Sequence, residues 1–225
     1  MSNLPKIDSH LHTTWTDGEA SVYEMYCEAV KKNLTHILFS EHSRKTSTDW
    51  FYKFASEVRN LPSYPCKAYV GAEVKIETYH GDIDTNEEII GLTDFVMASV
   101  HRLIDSSGQT LQFSETNPDD VIDLEFQLTW AALENPNVDI LGHLFGMSYR
   151  RFNLSPPEEK IHALIEKASK FNVAIEINSH YHPDPKKMIS CCQEYSALTT
   201  FGSNAHSLAT VGEIIQHLDE NNRQI

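Results

Sequence analysis

Seven short apolar runs recur along the chain, each followed by an amphipathic stretch, and this alternation constrains its fold more than any other feature. The runs are KIDSHLH (6–12), HILFSEH (36–42), KAYVGAEVKI (67–76), FVMASVH (95–101), VDILGHL (138–144), VAIEINSH (173–180) and LTTFGSNAH (198–206). Their length and apolar character predict strands, whereas the stretches between them carry helical spacing. Val22, Met25, Tyr26, Ala29 and Val30 form one stripe within 21–33; Ile161, Leu164, Ile165 and Ala168 form another within 156–172. Val211, Ile214, Ile215 and Leu218 mark a last helix. Ser155-Pro156-Pro157-Glu158 predicts a capping box with proline at the first helical position, and Asn117-Pro118 and Asp184-Pro185 predict two further starts. Strand–helix units without a linker predict one α/β domain over 1–225 with a parallel sheet. An open doubly wound sheet and a closed barrel both satisfy this pattern. The connections 102–116 and 145–154 are long, as functional lids often are.

Composition narrows the function classes. The formal net charge is -14. Such a surface repels phosphate backbones and counts against a general nucleic-acid partner, although bound divalent cations reverse the sign inside a single pocket. No apolar run reaches the roughly 20 residues of a membrane span, so no membrane partner is expected. The N-terminal MSNLPKIDSHLH lacks signal-peptide features, giving an expectation of cytoplasmic residence. Cys27, Cys66, Cys191 and Cys192 show neither metal-binding nor disulfide-framework spacing, and read as reduced thiols. Histidine is abundant, with 12 residues.

Position gives those histidines meaning. His10 and His12 end the first run, with Asp17 just beyond. His42 ends the second, Glu73 lies in the third, His101 ends the fourth, His143 lies in the fifth, and Asn204 and His206 end the seventh. His180 and His182 follow the sixth. Each i, i+2 pair projects onto one face of its strand, and the C-terminal edge of an α/β sheet is where such folds build sites. Imidazole with carboxylate suits zinc, iron or manganese. A glutamate such as Glu73 can bridge two ions, and ions about 3.5–4 Å apart generate and aim a hydroxide. His36, His162 and His217 read as ordinary structural or surface residues, and His80 lies in a hairpin-like loop.

The ordered motifs HLHTTWTD (10–17), SEHS (40–43), GAEV (71–74), SVH (99–101), GHL (142–144) and GSNAH (202–206) resemble those of the PHP (polymerase and histidinol phosphatase) family, in its stand-alone, histidinol-phosphatase-like form. The resemblance runs from residue 7 to residue 206. It implies a distorted (β/α)7 barrel, TIM-like, with three divalent metal ions. By motif, His10, His12, Glu73 and Asn204 would hold the first ion. Glu73, His101 and His143 would hold the second, and Asp17, His42 and His206 the third. Glu73, Asn204 and His206 are thereby expected at the catalytic centre. The family pattern has aspartate where this chain has Asn204, which offers a carbonyl oxygen without charge. A weaker first site and a slower enzyme are expected.

The family hydrolyses phosphate esters. The leading expectation is a phosphomonoesterase acting on a small phosphorylated substrate, with a hydroxide bridging the ions as nucleophile. Arg102, Arg150, Arg151 and His180 are the expected substrate contacts, with Arg44 also in a loop at the same edge. His182 is a second possible leaving-group contact. Asp105 or Glu115 could receive the amine of histidinol phosphate. A phosphodiesterase or exonuclease is the second reading, and a binding module weakened by Asn204 is the third.

Overall fold

The computed structural model describes residues 5–105 and 107–220. Its strands are β1 (Ile7–Leu11), β2 (His36–Ser43), β3 (Lys67–Lys75), β4 (Phe95–Ser99), β5 (Ile140–Leu141), β6 (Ala174–Asn178) and β7 (Thr199–Gly202). They lie side by side in sequence order, every pair parallel. Helices α1 (Val22–Lys31), α2 (Thr48–Arg59), α3 (Glu87–Leu92), α4 (Pro118–Ala132), α5 (Glu158–Phe171), α6 (Pro185–Glu194) and α7 (Glu213–Glu220) alternate with them. The two architectures left open by the sequence are separated by one seam. Ala205 N donates to His10 O at 2.9 Å and His12 N donates to Ala205 O at 2.9 Å, so the outer strands meet at their C-terminal ends. Below this, Asp8 accepts from Ser203 N at 2.9 Å and from Gly212 N at 2.7 Å. The sheet is therefore a nearly closed, TIM-like barrel.

The apolar stripes face this barrel. Val22, Met25, Tyr26 and Ala29 of α1 are buried, as are Ile161, Leu164, Ile165 and Ala168 of α5. They join one continuous core between helices and sheet. Leu38, Met97 and Ile140 form a separate small cluster of buried residues in the sheet. Near its C-terminal ends the barrel lumen is polar, and glycines make room for it. A Cβ at Gly202 would fall on Glu176 Oε1 and lie 2.8 Å from His10 Cβ.

Several boundaries differ from expectation. The fifth strand keeps only two residues, because the chain leaves the sheet at Gly142 and turns through positive φ at His143 and Phe145. Helix α5 begins at Glu158 with no side-chain cap, so Ser155 is not its capping residue. The residue before a proline avoids the helical region; Pro156 precedes Pro157, and Pro157 itself is extended at ψ 141. Strand β6 ends at Asn178, before His180. Val211 precedes α7, separated from it by Gly212 at φ +70. The connection 145–154 contains a π-helical turn, Met147–Arg151. The starts at Asn117 and Asp184 hold: their side chains accept from Asp119 N and Lys187 N.

Candidate metal centre

Register carries side chains from separate strands into one place. His42 of β2 lies beside Glu73 of β3 in the parallel ladder, so both project from the same face. The i, i+2 spacing across the end of β1 brings His10 and His12 towards them, and both are fully buried. All nine sequence-predicted donors meet at this mouth of the barrel, around Glu73.

Three groups of donor atoms converge. His10 Nε2 and His12 Nε2 are 3.0 Å apart, Asn204 Oδ1 is 3.2 Å from His12 Nε2, and Glu73 Oε2 lies 3.5 and 3.6 Å from the two imidazoles. Glu73 Oε1 lies 3.0 Å from both His101 Nε2 and His143 Nε2. Asp17 lies 3.4 Å from His42 Nε2 and 3.3 Å from His206 Nε2. His42 sits between groups, with Nδ1 2.9 Å from Glu73 Oε2.

The residues fit a cation better than they fit one another. Glu73 Oε2 and His12 Nδ1 are buried without a well-formed hydrogen bond, a condition that costs about 1–3 kcal/mol per group when nothing compensates it. Two imidazole nitrogens face each other at 3.0 Å with a carbonyl oxygen beside them. Such a set of nitrogen and oxygen lone pairs is what zinc, iron or manganese takes up.

The electrostatics agree. Burial and the neighbouring His10 hold His12 well below the usual histidine range, so it is neutral and able to ligate. Burial opposes a proton on His42, but the carboxylates of Asp17 and Glu73 beside its two ring nitrogens win and push it up to about 10. His206 and His42 hold Asp17 far below the usual carboxylate range. Glu73 is also held low; burial works against its charge, and His101 and His10 more than offset that.

Sequence reasoning missed the residues that hold these donors. Glu176 of β6 is fully buried. It accepts from His10 Nδ1 at 2.8 Å, His143 N at 2.6 Å and Asn178 Nδ2 at 2.7 Å. Donation from Nδ1 aims His10 Nε2 at the centre, the usual carboxylate–histidine arrangement behind a metal. Burial opposes a second proton on this ring, but Glu176 and Glu73 hold it well above the usual histidine range, so a bound ion would displace that proton from Nε2. Burial raises the Glu176 carboxyl, yet His10 and His143 bring it down to about 2. Its signal was a carboxylate inside the apolar run VAIEINSH. Glu41 does similar work for the turn before Asp17, accepting from Thr13 N at 2.8 Å, Thr13 Oγ1 at 2.6 Å and Thr16 Oγ1. Tyr181 stacks on His143, ring centroids 4.2 Å apart, and burial pushes its hydroxyl up to about 12.

The centre opens into a cavity of about 540 Å³ lined by Arg44, Lys75, Arg102 and Tyr181 as well as the donors. Arg150, Arg151 and His180 line an adjoining cavity of about 410 Å³. Arg150 Nη2 donates to His180 Nε2 at 3.3 Å. His182 leaves the list of leaving-group contacts: it is buried, accepts from Asn178 N and donates to Leu144 O, both at 3.1 Å. Asp105 spends its carboxylate on Ser107 and Gln109, and neither it nor Glu115 lines either cavity.

A barrel with histidines and carboxylates at the C-terminal mouth of its strands is the class of protein that fold and site define. The chain belongs to the PHP domain family, whose family model matches residues 8–180. A "Probable phosphatase" of Caldicellulosiruptor bescii is 28% identical over 228 residues, covering 95% of this chain and 85% of that protein. The DNA polymerase/3'-5' exonuclease PolX of Bacillus subtilis is 28% identical over 183 residues, which are 29% of PolX. Histidinol phosphate phosphatase from Lactococcus lactis, solved with Zn, L-histidinol and phosphate, shares the fold with a TM-score of 0.72 at 18% identity. That match covers 96% of this chain and 93% of the other.

Proposed function

We propose that this chain is a metal-dependent phosphoesterase that hydrolyses a small phosphate monoester. The observation that carries the reading is the convergence of nine donors around Glu73 at the floor of a cavity whose rim holds Arg44 and Arg102. Relatives named as phosphatases, such as that of C. bescii, support it. His10, His12, Glu73 and Asn204 would hold one ion, Glu73, His101 and His143 a second, and Asp17, His42 and His206 a third. Zinc, iron and manganese all suit these donors. Bound divalent ions supply Lewis acidity and acidify a water for attack on phosphorus.

The chain's own residues bind and orient. Arg44 and Arg102 present forked donors to the phosphoryl oxygens. Glu176 keeps His10 and the His143 backbone aimed at the centre. Tyr181 stays protonated near neutrality and can donate to the oxygen of the departing alcohol. Burial and Arg150 hold His180 below the usual histidine range, so it serves Arg150 as an acceptor rather than the leaving group as an acid. Water cleaves the phosphorus–oxygen ester bond, giving an alcohol and inorganic phosphate. Asn204, lacking a charge, lowers the affinity of the first ion and with it the rate.

The PolX resemblance favours a second reading, a phosphodiesterase or exonuclease; the net charge of -14 ranks it lower. Free cysteines and the lack, among the described residues, of a helix long and apolar enough to cross a membrane suit a cytoplasmic enzyme. The test is metal analysis with phosphate release from a panel of monoesters, alongside single-stranded DNA. Three ions per chain and chelator-sensitive release from monoesters are expected. Cleavage of DNA without action on monoesters would establish the second reading instead, and a chain that takes up no metal would end both.

A further inference from the structure

The cavity beside the metal centre has a chemistry that hydrolysis of a simple monoester does not use. It shares His101, Arg102 and Tyr181 with the central cavity, so a ligand spanning both is continuous. Arg102, Arg150 and Arg151 line it, and no acidic residue does. Among the described residues, none of these three arginines forms an ion pair with a carboxylate. In a chain of net charge -14, three unneutralised guanidinium groups in one concavity are a concentrated exception.

Two of them are held in place by an aromatic ring. The guanidinium carbons of Arg102 and Arg151 lie 4.8 and 4.1 Å from the Phe113 ring centroid. Stacking on the ring face satisfies the charge in part and leaves the in-plane N–H groups free at the edge. Those edges suit a bidentate anion, a phosphate or a carboxylate. A cationic tail such as the amine and imidazole of histidinol phosphate would meet repulsion here. The two carboxylates that could have received an amine, Asp105 and Glu115, do not reach the cavity.

Building on the phosphomonoesterase reading, we infer that the substrate carries a second anionic group, which sits on Arg102 and Arg151 while its phosphate ester is cleaved at the metal centre. Water adds and the ester phosphorus–oxygen bond breaks; the second anion leaves with the alcohol unchanged. Arg102, at the junction of the two cavities, is then a specificity residue as well as a rim cation.

Two measurements on the metal-loaded full chain test this. The first compares kcat/KM for fructose 1,6-bisphosphate against fructose 6-phosphate, for 3-phosphoglycerate against glycerol 3-phosphate, and for histidinol phosphate. At least a tenfold preference for a doubly anionic substrate is expected, and the better pair says whether phosphate or carboxylate is the second group. The second is calorimetric binding of propane-1,3-diphosphonate against propylphosphonate, which needs no turnover. At least tenfold tighter binding of the diphosphonate is expected, abolished in Arg151→Glu and reduced in Arg102→Ala. Arg151 is exposed, so its charge reversal leaves the fold intact. Diphosphonate preference without any phosphate release would keep the subsite and end the phosphatase reading. Equal binding of the two phosphonates, a preference for histidinol phosphate, or a preference untouched by Arg151→Glu would overturn the inference.

Discussion

Replacing Asn204 by aspartate adds one negative charge to the first donor group and little else. The residue stands at φ +50, a left-handed conformation that asparagine and aspartate both tolerate, so the backbone does not resist the change. Its Oδ1 lies 3.2 Å from His12 Nε2, inside the shell of atoms that would surround a cation. A unit pair about 4 Å apart at an effective dielectric of about 20 is worth about 4 kcal/mol, and a divalent ion doubles that to about 8 kcal/mol. In the metal-free protein the new carboxylate already pairs with the proton that His10 holds in this group and that the ion must displace, which offsets about 4 kcal/mol on the same scale. Loss of hydration at a partly buried carboxylate removes about 2 kcal/mol more. The remaining 2 kcal/mol is about a thirtyfold gain in affinity. Zinc titration of both proteins in a chelator buffer, with bound metal counted per chain, measures it. Phosphate release should rise in parallel at limiting metal. Affinities equal within twofold, or weaker binding by the aspartate protein, would show that Oδ1 is not a donor and would refute the assignment of this group.

Three further outcomes are expected. Glu176→Gln loses the charge behind His10 and keeps its shape; metal affinity should fall about 10–100-fold, as for other carboxylates that support ligating histidines, read in the same titration. Gly202→Ala forces a methyl onto Glu176 and His10; a loss of about 1–3 kcal/mol is expected by chemical denaturation, together with weakened metal binding. The pH dependence has a defined sign: His42 is raised from 6.5 to about 10 in the metal-free protein. That stabilisation is fully present below pH 6.5 and is lost as pH rises through about 10, so melting of the metal-free protein should decline across that window. Because a bound ion must displace the same proton, zinc affinity should climb over that window, by up to about tenfold per pH unit for each proton released. A flat affinity profile would refute this assignment of the His42 proton.

The recurring strand–helix units and the donors that end them were legible because both rest on local chemistry. Apolar periodicity predicts elements wherever it occurs, and an i, i+2 pair such as His10/His12 shares a face whatever the strand's neighbours. Proline starts at Pro118 and Pro185 held for the same local reason. Pro157 failed as a predicted first turn because two successive prolines carry the extended conformation one residue further. Glu41 and Glu176 passed unnoticed because a carboxylate inside an apolar run looks like an exception until its partners arrive from other strands.

The sequence by itself determined the alternation of strands and helices and brought out the nine candidate donors in or just beyond the strands, because each of these depends on neighbours a few positions away. Tertiary structure decided the rest. Barrel closure depends on hydrogen bonds between His10, His12 and Ala205, nearly two hundred positions apart in the chain. The sharing of Glu73 between two donor groups, the Glu176 brace behind His10, and the meeting of Arg102 with Arg151 over Phe113 all require the sheet to curl. Contacts of that span carry no local periodicity, so only the closed barrel brings these groups to one mouth.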